Sequence, residues 1–372
     1  SGMTNVELKS KSDCEPPLHL YTRYGLDFVN HLRGMYAFAI YDKQRARLVL
    51  ARDPFGIKPL YFVEDSEGFF FASEVQALLK AGCAERKLSK ALVSQLLNKQ
   101  FVAGAETIFP KIKRVAPGEV LVVENGKIVK RHKNQALPNA PILVSSLSEL
   151  ERDLDREISE SVEFHQRSDV PYGLFFSGGI DSTCILAEMV RRKDRPVITY
   201  TAGFDAGSVT DETNHARNIS ESVGASYSEI RITCDDFWSE LPSIAAALDD
   251  PCADYAIIPT YILARHAAKD VKVVLSGEGG DELFAGYGRY RRELRPRWLG
   301  GRRASELFFN ELGVLAEGAS PSLPEGRENG YFSTNLQKIQ ARDFANWLPN
   351  DLLLKLDRCL MAHGLEGRTP FL

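Results

Sequence analysis

The sequence predicts an α/β protein in which a doubly wound parallel sheet fills the second half and a partial, β-rich α+β domain precedes it. Three observations carry this prediction. After residue 147, short apolar runs alternate with amphipathic helical segments, the pattern of a parallel sheet covered on both faces. Two of those runs end in small-residue turns, at Ser177 and Ser276, that lead straight into helices. In the first half the apolar runs come as hairpins instead, the clearest around Asn125-Gly126.

In chain order, Pro16 to Tyr24 reads as a helix. Met35 to Asp42 and Arg47 to Arg52 read as paired strands. Leu60 to Val63 and Phe69 to Ala72 form a second hairpin around Glu64-Asp-Ser-Glu-Gly68. Ser73 is placed to cap a helix running to Leu79. Glu119 to Glu124 and Lys127 to Arg131 flank the Asn-Gly turn. Arg52, Asp53 and Lys58 surround a tight bend at Gly56 and read as structural ion pairing. The polar, Pro-containing stretch from His132 to Ser146 reads as a linker. The expected domains are therefore 4–131, a linker at 132–146, and 147–372.

The second half opens with a long amphipathic helix, Leu147 to Gln166. Strands follow at Gly173 to Phe176, Val197 to Ala202, Tyr227 to Ile232 and Val271 to Ser276. Helices lie between them, at Asp181 to Arg192, Asp211 to Val223, Asp235 to Leu248 and Ile258 to Ala268. In such a sheet ligands sit beyond the carboxyl ends of the strands. Both Ser177 and Ser276 fall there.

A chain of 372 residues has room for two or three domains. A net charge of -4 supplies no electrostatic footprint for nucleic acid or an anionic membrane. No apolar run reaches membrane-spanning length, and no signal peptide opens the chain. The cysteines are scattered without a C-x-x-C pair, as expected of reduced thiols in a cytoplasmic protein.

The chemistry is concentrated in two loops. In Leu174-Phe-Phe-Ser-Gly-Gly-Ile-Asp-Ser-Thr183, small residues at Ser177, Gly178 and Gly179 leave backbone N–H groups open to an anion at a helix start. Asp181 would repel a phosphate unless a divalent cation lay between them, which points to a nucleotide–Mg²⁺ site. Neither a Walker loop nor a dinucleotide fingerprint fits. The bland alternative is a strand-to-helix turn with Asp181 as a cap. It weakens because Leu275-Ser-Gly-Glu-Gly-Gly-Asp-Glu-Leu-Phe-Ala-Gly-Tyr287 repeats the same logic, with Glu278 and Asp281 directed to the same crevice.

Together, Phe176-Ser-Gly-Gly-Ile-Asp-Ser182 and Ser276-Gly-Glu-Gly-Gly-Asp-Glu282 resemble the synthetase domain of the asparagine synthetase family. Asp211-Glu212, Asp250-Pro251, Ala253-Asp254, Ile258-Pro-Thr-Tyr261 and Leu348 to Phe371 extend the match. Ser12-Asp-Cys-Glu15, Leu32 to Phe38, Ala51 to Tyr61 and Ala72-Ser-Glu74 are similar to that family's glutaminase domain. The resemblance implies a PP-loop pyrophosphatase sheet behind an Ntn-type sandwich of two antiparallel sheets. It implies ATP and Mg²⁺ as cofactors, with glutamine or ammonia and aspartate, or another carboxylate, as substrates. By resemblance, Ser177, Gly178, Gly179, Asp181 and Ser182 bind the pyrophosphate of ATP, and Asp181 and Asp281 hold Mg²⁺. Phe175 and Ala202-Gly203 line the adenine pocket, Ser276 and Gly277 border the AMP portion, and Glu278 is a catalytic acid/base. Asp13 holds the glutamine amino group, and Met35 or Met361 to Leu365 line an ammonia channel. A homodimer is a further expectation.

The departures shape the expectations. The family's N-terminal cysteine and its partner segment are absent, so this polypeptide is expected not to hydrolyse glutamine. Cys14 is expected to be a buried structural thiol rather than a substitute nucleophile. The chain ends at Leu372, where relatives continue, so it reads as truncated at both ends. Asp249-Asp250-Pro251 stands where relatives often carry Asp-Glu-Pro, and Ala253 to Thr260 holds no arginine to clamp a free aspartate. Two alternatives follow: an amidotransferase acting on another carboxylate, such as a cell-wall precursor or peptide, and a non-catalytic nucleotide-binding fragment.

Overall fold

The computed structural model describes residues 8–10, 12–134, 136–137, 146–192, 196–205, 213–301 and 334–372. Residues 4–7, most of the expected linker and Asp211-Glu212 lie outside the described residues. The chain divides into two compact units, Ser1–Val93 with Val102–Pro138, and Ser94–Phe101 with Asn139–Leu372.

The first unit is built from hairpins. Helix α1 spans Glu15–Tyr24, and strands β1 (Ala37–Asp42) and β2 (Arg47–Arg52) follow. Strands β3 (Tyr61–Glu64) and β4 (Phe69–Ala72) lead to helix α2 (Val75–Lys80) and to α3 (Lys90–Lys99), which passes into the second unit at Ser94, and then to β5 (Lys113–Arg114), β6 (Glu119–Glu124) and β7 (Lys127–Lys133). One antiparallel sheet has the order β1-β2-β6-β7 and the other β4-β3-β5. The β6–β7 turn places Asn125 at φ 50° and Gly126 at φ 74°, as the Asn-Gly pair predicts. Leu50 and Leu121 of one sheet share a buried cluster with Phe62 of the other, so the sheets face each other across a core. Tyr21 of α1 and Val75 of α2 join two further clusters, so the helices flank the sandwich.

Two expectations change here. Cys14 is exposed, not buried. It stands at the surface start of α1 among Ser12 and Asp13, and its thiol lies 3.7 Å from Asp13 Oδ1. Helix α2 starts at Val75 with Glu74 before it, so Ser73 is not its cap. The Arg52 guanidinium donates to the backbone carbonyls of Gly56, Lys58 and Val115, while Asp53 accepts from the N–H groups of Ile57 and Lys58. These backbone hydrogen bonds hold the bend at Gly56.

The second unit alternates strand and helix. It begins with α4 (Leu147–Gln166), where Ser146 and Glu149 complete a capping box. Then come β8 (Tyr172–Phe175), α5 (Ile180–Arg191), β9 (Ile198–Phe204), α6 (Thr213–Ser222), β10 (Ser226–Ile232), α7 (Cys234–Ala247), α8 (Ile257–Ala267) and β11 (Val273–Leu275). Helices α9 (Gly280–Phe284), α10 (Gly288–Leu294) and α11 (Asn335–Arg342) lead through a wide helical turn at Asp343–Leu352 to α12 (Leu353–Met361) and β12 (Glu366–Arg368). The sheet is wholly parallel, in the order β10-β9-β8-β11-β12. Leu174, Ile185, Leu186, Met189 and Leu275 are fully buried between this sheet and its helices. Strand β12 was not legible beforehand. Its three residues are polar or glycine, and only their hydrogen bonds to the β11 edge make them a strand.

Candidate active site

The two small-residue loops leave the sheet side by side. β8 and β11 are adjacent parallel strands, with Leu174 opposite Leu275. Both loops therefore emerge at one carboxyl edge, although about a hundred residues separate them in the chain. β9 lies on the other side of β8, with Tyr200 opposite Phe175. Ala202 stands two residues beyond Tyr200, so Phe175 and Ala202 flank the same edge.

The first loop needs its glycine. Gly178 has φ +77°, and a Cβ there would lie 3.2 Å from the His215 ring and 3.4 Å from the Ala216 backbone on α6. The N–H of Gly179 donates to Ser177 Oγ at 3.2 Å, and Ser182 Oγ donates to the Gly179 carbonyl at 3.2 Å. Ser177 and Ser182 hydroxyls stand 3.2 Å apart. A hydroxyl-lined turn thus sits on the N-terminus of a twelve-residue helix, an arrangement that suits a phosphate oxygen.

The second loop closes over the first. A Cβ on Gly277 would lie 3.4 Å from Asp181 Cβ and from the Ser182 nitrogen. One on Gly280 would lie 2.6 Å from both Asp181 Cγ and Oδ2. The Asp181 carboxylate therefore packs against the start of α9, the helix that carries Asp281. Burial raises the Asp181 pKa, and the nearby Asp281 charge raises it further. Burial raises Asp281 as well, with Arg289 partly offsetting it. Two half-buried carboxylates that repel each other fit a hard divalent cation, which would relieve both costs. Among the described residues no group of three His, Cys, Asp or Glu side chains gathers at metal-binding spacing, so remaining ligands would come from phosphate or water. Glu282 is buried, accepts a 2.7 Å hydrogen bond from the Tyr287 hydroxyl, and is pushed up to about 7 by burial.

Ser276 takes its place through the β12 edge, its N–H donating to the Arg368 carbonyl at 2.9 Å. Next to it, Glu278 remains partly open and pairs with Lys355 Nζ at 3.3 Å. Lys355 also donates to Asp254 Oδ2 at 2.7 Å and is only 3% exposed. Burial opposes its charge, but Glu278 and Asp254 outweigh that and hold its pKa above the usual range. Sequence reasoning missed this lysine. Its one signal was a charge set among Leu352, Leu353, Leu354 and Leu356.

The structure thus gathers Phe175, Ser177, Gly178, Gly179, Asp181, Ser182, Ala202, Ser276, Gly277, Glu278 and Asp281 along one sheet edge. Asp13 is not among them, because it lies exposed in the first unit.

A protein-family model for asparagine synthase matches residues 153–372. The chain belongs to the asparagine synthase family. A glutamine amidotransferase domain model matches residues 2–134. The chain is 32% identical to the Bacillus subtilis glutamine-hydrolysing asparagine synthetase 1, an alignment covering 97% of this chain and 63% of that protein. A putative asparagine synthetase of Mycobacterium bovis matches at 32% identity with the same coverage. An amidase, chyE, of Penicillium rubens is 29% identical over 96% of this chain and 57% of its own length. The chain therefore spans less than two thirds of these curated relatives. No described helix is long and apolar enough to cross a membrane.

Proposed function

We propose that this chain carries the ATP-dependent half of a glutamine-dependent amide synthesis. A carboxylate oxygen attacks the α-phosphorus of ATP, the bond to the bridging oxygen breaks, and pyrophosphate leaves as an acyl-adenylate forms. Ammonia then attacks the acyl carbon, the bond to AMP breaks, and an amide and AMP result. Ser177, Ser182 and the N–H groups of the first loop hold the pyrophosphate. Phe175 and Ala202 border the adenine, and Ser276 and Gly277 border the AMP portion. Asp181 and Asp281 would hold Mg²⁺, which when bound offsets charge on the phosphates. Glu278 takes a proton from the attacking nitrogen.

The observation that supports this most is the packing of the Asp181 carboxylate against the start of α9, facing Asp281 across two loops from neighbouring strands. Two repelling acids in a phosphate cradle serve nucleotide chemistry better than capping. The test is carboxylate-dependent release of AMP and pyrophosphate in the whole protein, with Asp181→Ala beside it. The variant is expected to lose on the order of 10²-fold or more in rate. Undiminished AMP release by Asp181→Ala would refute the reading.

Aspartate is the acyl substrate the family resemblance favours, with ammonia drawn from glutamine in the whole protein. A second reading, another carboxylate such as a peptide or cell-wall precursor, draws on the absence of arginine between Ala253 and Thr260 and on amidase-named relatives at 29% and 27% identity. A carboxylate screen read by AMP release separates the two. Binding of ATP with no AMP from any carboxylate would favour a non-catalytic nucleotide binder instead.

A further inference from the structure

The geometry points to Lys355 as the positioning residue for Glu278: its ammonium, braced by Asp254, holds the Glu278 carboxylate at the mouth of the site. This rests on the reading of Glu278 given above as the proton acceptor for the attacking nitrogen.

Three elements converge to make the arrangement. Lys355 lies in the first turn of α12, Asp254 just before α8, and Glu278 in the loop after β11. Lys355 and Asp254 are 101 positions apart and meet at 2.7 Å, both almost wholly buried. A buried ammonium is costly unless it is paired, and loss of either partner leaves an uncompensated charge. Asp254 supplies that pairing from the closed side. The Asp254 carboxylate in turn is fixed by accepting the Ala256 N–H at 2.9 Å. Lys355 can therefore direct its remaining donors toward Glu278, 3.3 Å away, whose side chain is the most accessible of the three at 23%. The order is a relay of position from a fixed acid through a fixed cation to a reachable acid.

The other groups facing Lys355 are Asp351, on the wide turn that precedes α12, and the thiols of Cys252 and Cys359. The Asp351 carboxyl is fully buried, with the Cys252 thiol beside it. Burial, with Asp254 and Glu278 nearby, pushes Asp351 up to about 8, so near neutral pH it is largely protonated and does not compete for the ammonium. Burial pushes Cys359 up to about 12 and raises Cys252 as well, so both thiols stay neutral. Lys355 thus has two charged partners, and one of them is the candidate acid/base.

The test reads Glu278 directly. A crystal structure of Lys355→Met is expected to show the Glu278 carboxylate displaced or spread over several rotamers, because the donor that fixes it is gone. Lys355→Arg should restore the single position. Removing the cation leaves Asp254 buried and unpaired, so Lys355→Met with Asp254→Asn keeps the charge balance and should show the same displacement. An unmoved Glu278 carboxylate in both Met variants overturns the assignment.

A second readout separates steps. Lys355→Met is expected to slow the ammonia step about 10- to 100-fold, while carboxylate-dependent pyrophosphate exchange changes less than about threefold. Equal losses in both steps would make Lys355 a general structural residue and overturn the proposal. Absence of pyrophosphate exchange in the unaltered protein with every carboxylate would instead refute the proposed function, and the position of Glu278 in the variants still decides the role of Lys355.

Discussion

Single carboxyl groups carry much of what this site can do, and their environments set them apart. Asp181 and Asp281 repel each other at the sheet edge, Glu278 is held by a cation, and Asp351 is buried where charge is costly. Asp351 therefore marks stability as well as chemistry. Its pKa is raised from 3.8 to about 8, so between those values the folded chain binds more protons at this group than the unfolded chain. By linkage, its contribution to stability is fully present below the unfolded value and is lost as pH rises toward the folded one. Asp351→Asn should thus flatten the decline in stability between about pH 5 and pH 8 relative to the unaltered chain. Urea unfolding at several pH values checks this, and parallel curves for the two proteins would contradict it. Gly280 offers a second residue-level test. A methyl group there meets the Asp181 carboxylate at 2.6 Å, yet Gly280 opens a helix, where alanine is well tolerated. Gly280→Ala should keep the melting temperature near that of the unaltered chain and cut AMP release about tenfold or more, by displacing Asp181.

At the scale of elements, local signals located most of what matters. Helix α4 begins and ends where its amphipathic pattern predicts, because Ser146 and Glu149 supply a capping box. Both strands that lead into the two small-residue loops also lie where their apolar runs predict, within one residue or two. The strands are short, so their hold on the loops depends on burial. Leu174 is wholly buried in the middle of β8. Leu174→Ala is expected to cost about 2–5 kcal/mol of stability, measured by urea unfolding. A cost below 1 kcal/mol would mean that β8 can collapse around the gap. Illegible elements share a different physics. Strand β12 and the wide turn at Asp343–Leu352 carry no period of their own. They owe their form to partners: the β11 edge for the first, and Pro349 with a buried polar cluster for the second.

At the scale of the whole molecule, the proposed chemistry is concentrated in the second unit, while Asp13 and the buried Arg52 bend belong to the first. Nucleotide binding should therefore stabilise the units unequally. Saturation with ATP and Mg²⁺ at about a hundred times Kd should add about 2.7 kcal/mol to the second unit. Hydrogen exchange should then show protection concentrated in the loops around Ser177 and Ser276. Equal protection across both units would contradict this arrangement. The sequence by itself determined the alternation of strand and helix, the hairpins, and the two loops with their acids, because each depends on residues a few positions apart. Tertiary structure alone decided that β8 and β11 are neighbours, that Asp181 lies against Gly280, and that Lys355 finds Asp254 and Glu278. Strand order and charge pairing across a hundred residues arise when buried surfaces and buried charges find partners, and no local pattern in the chain names those partners.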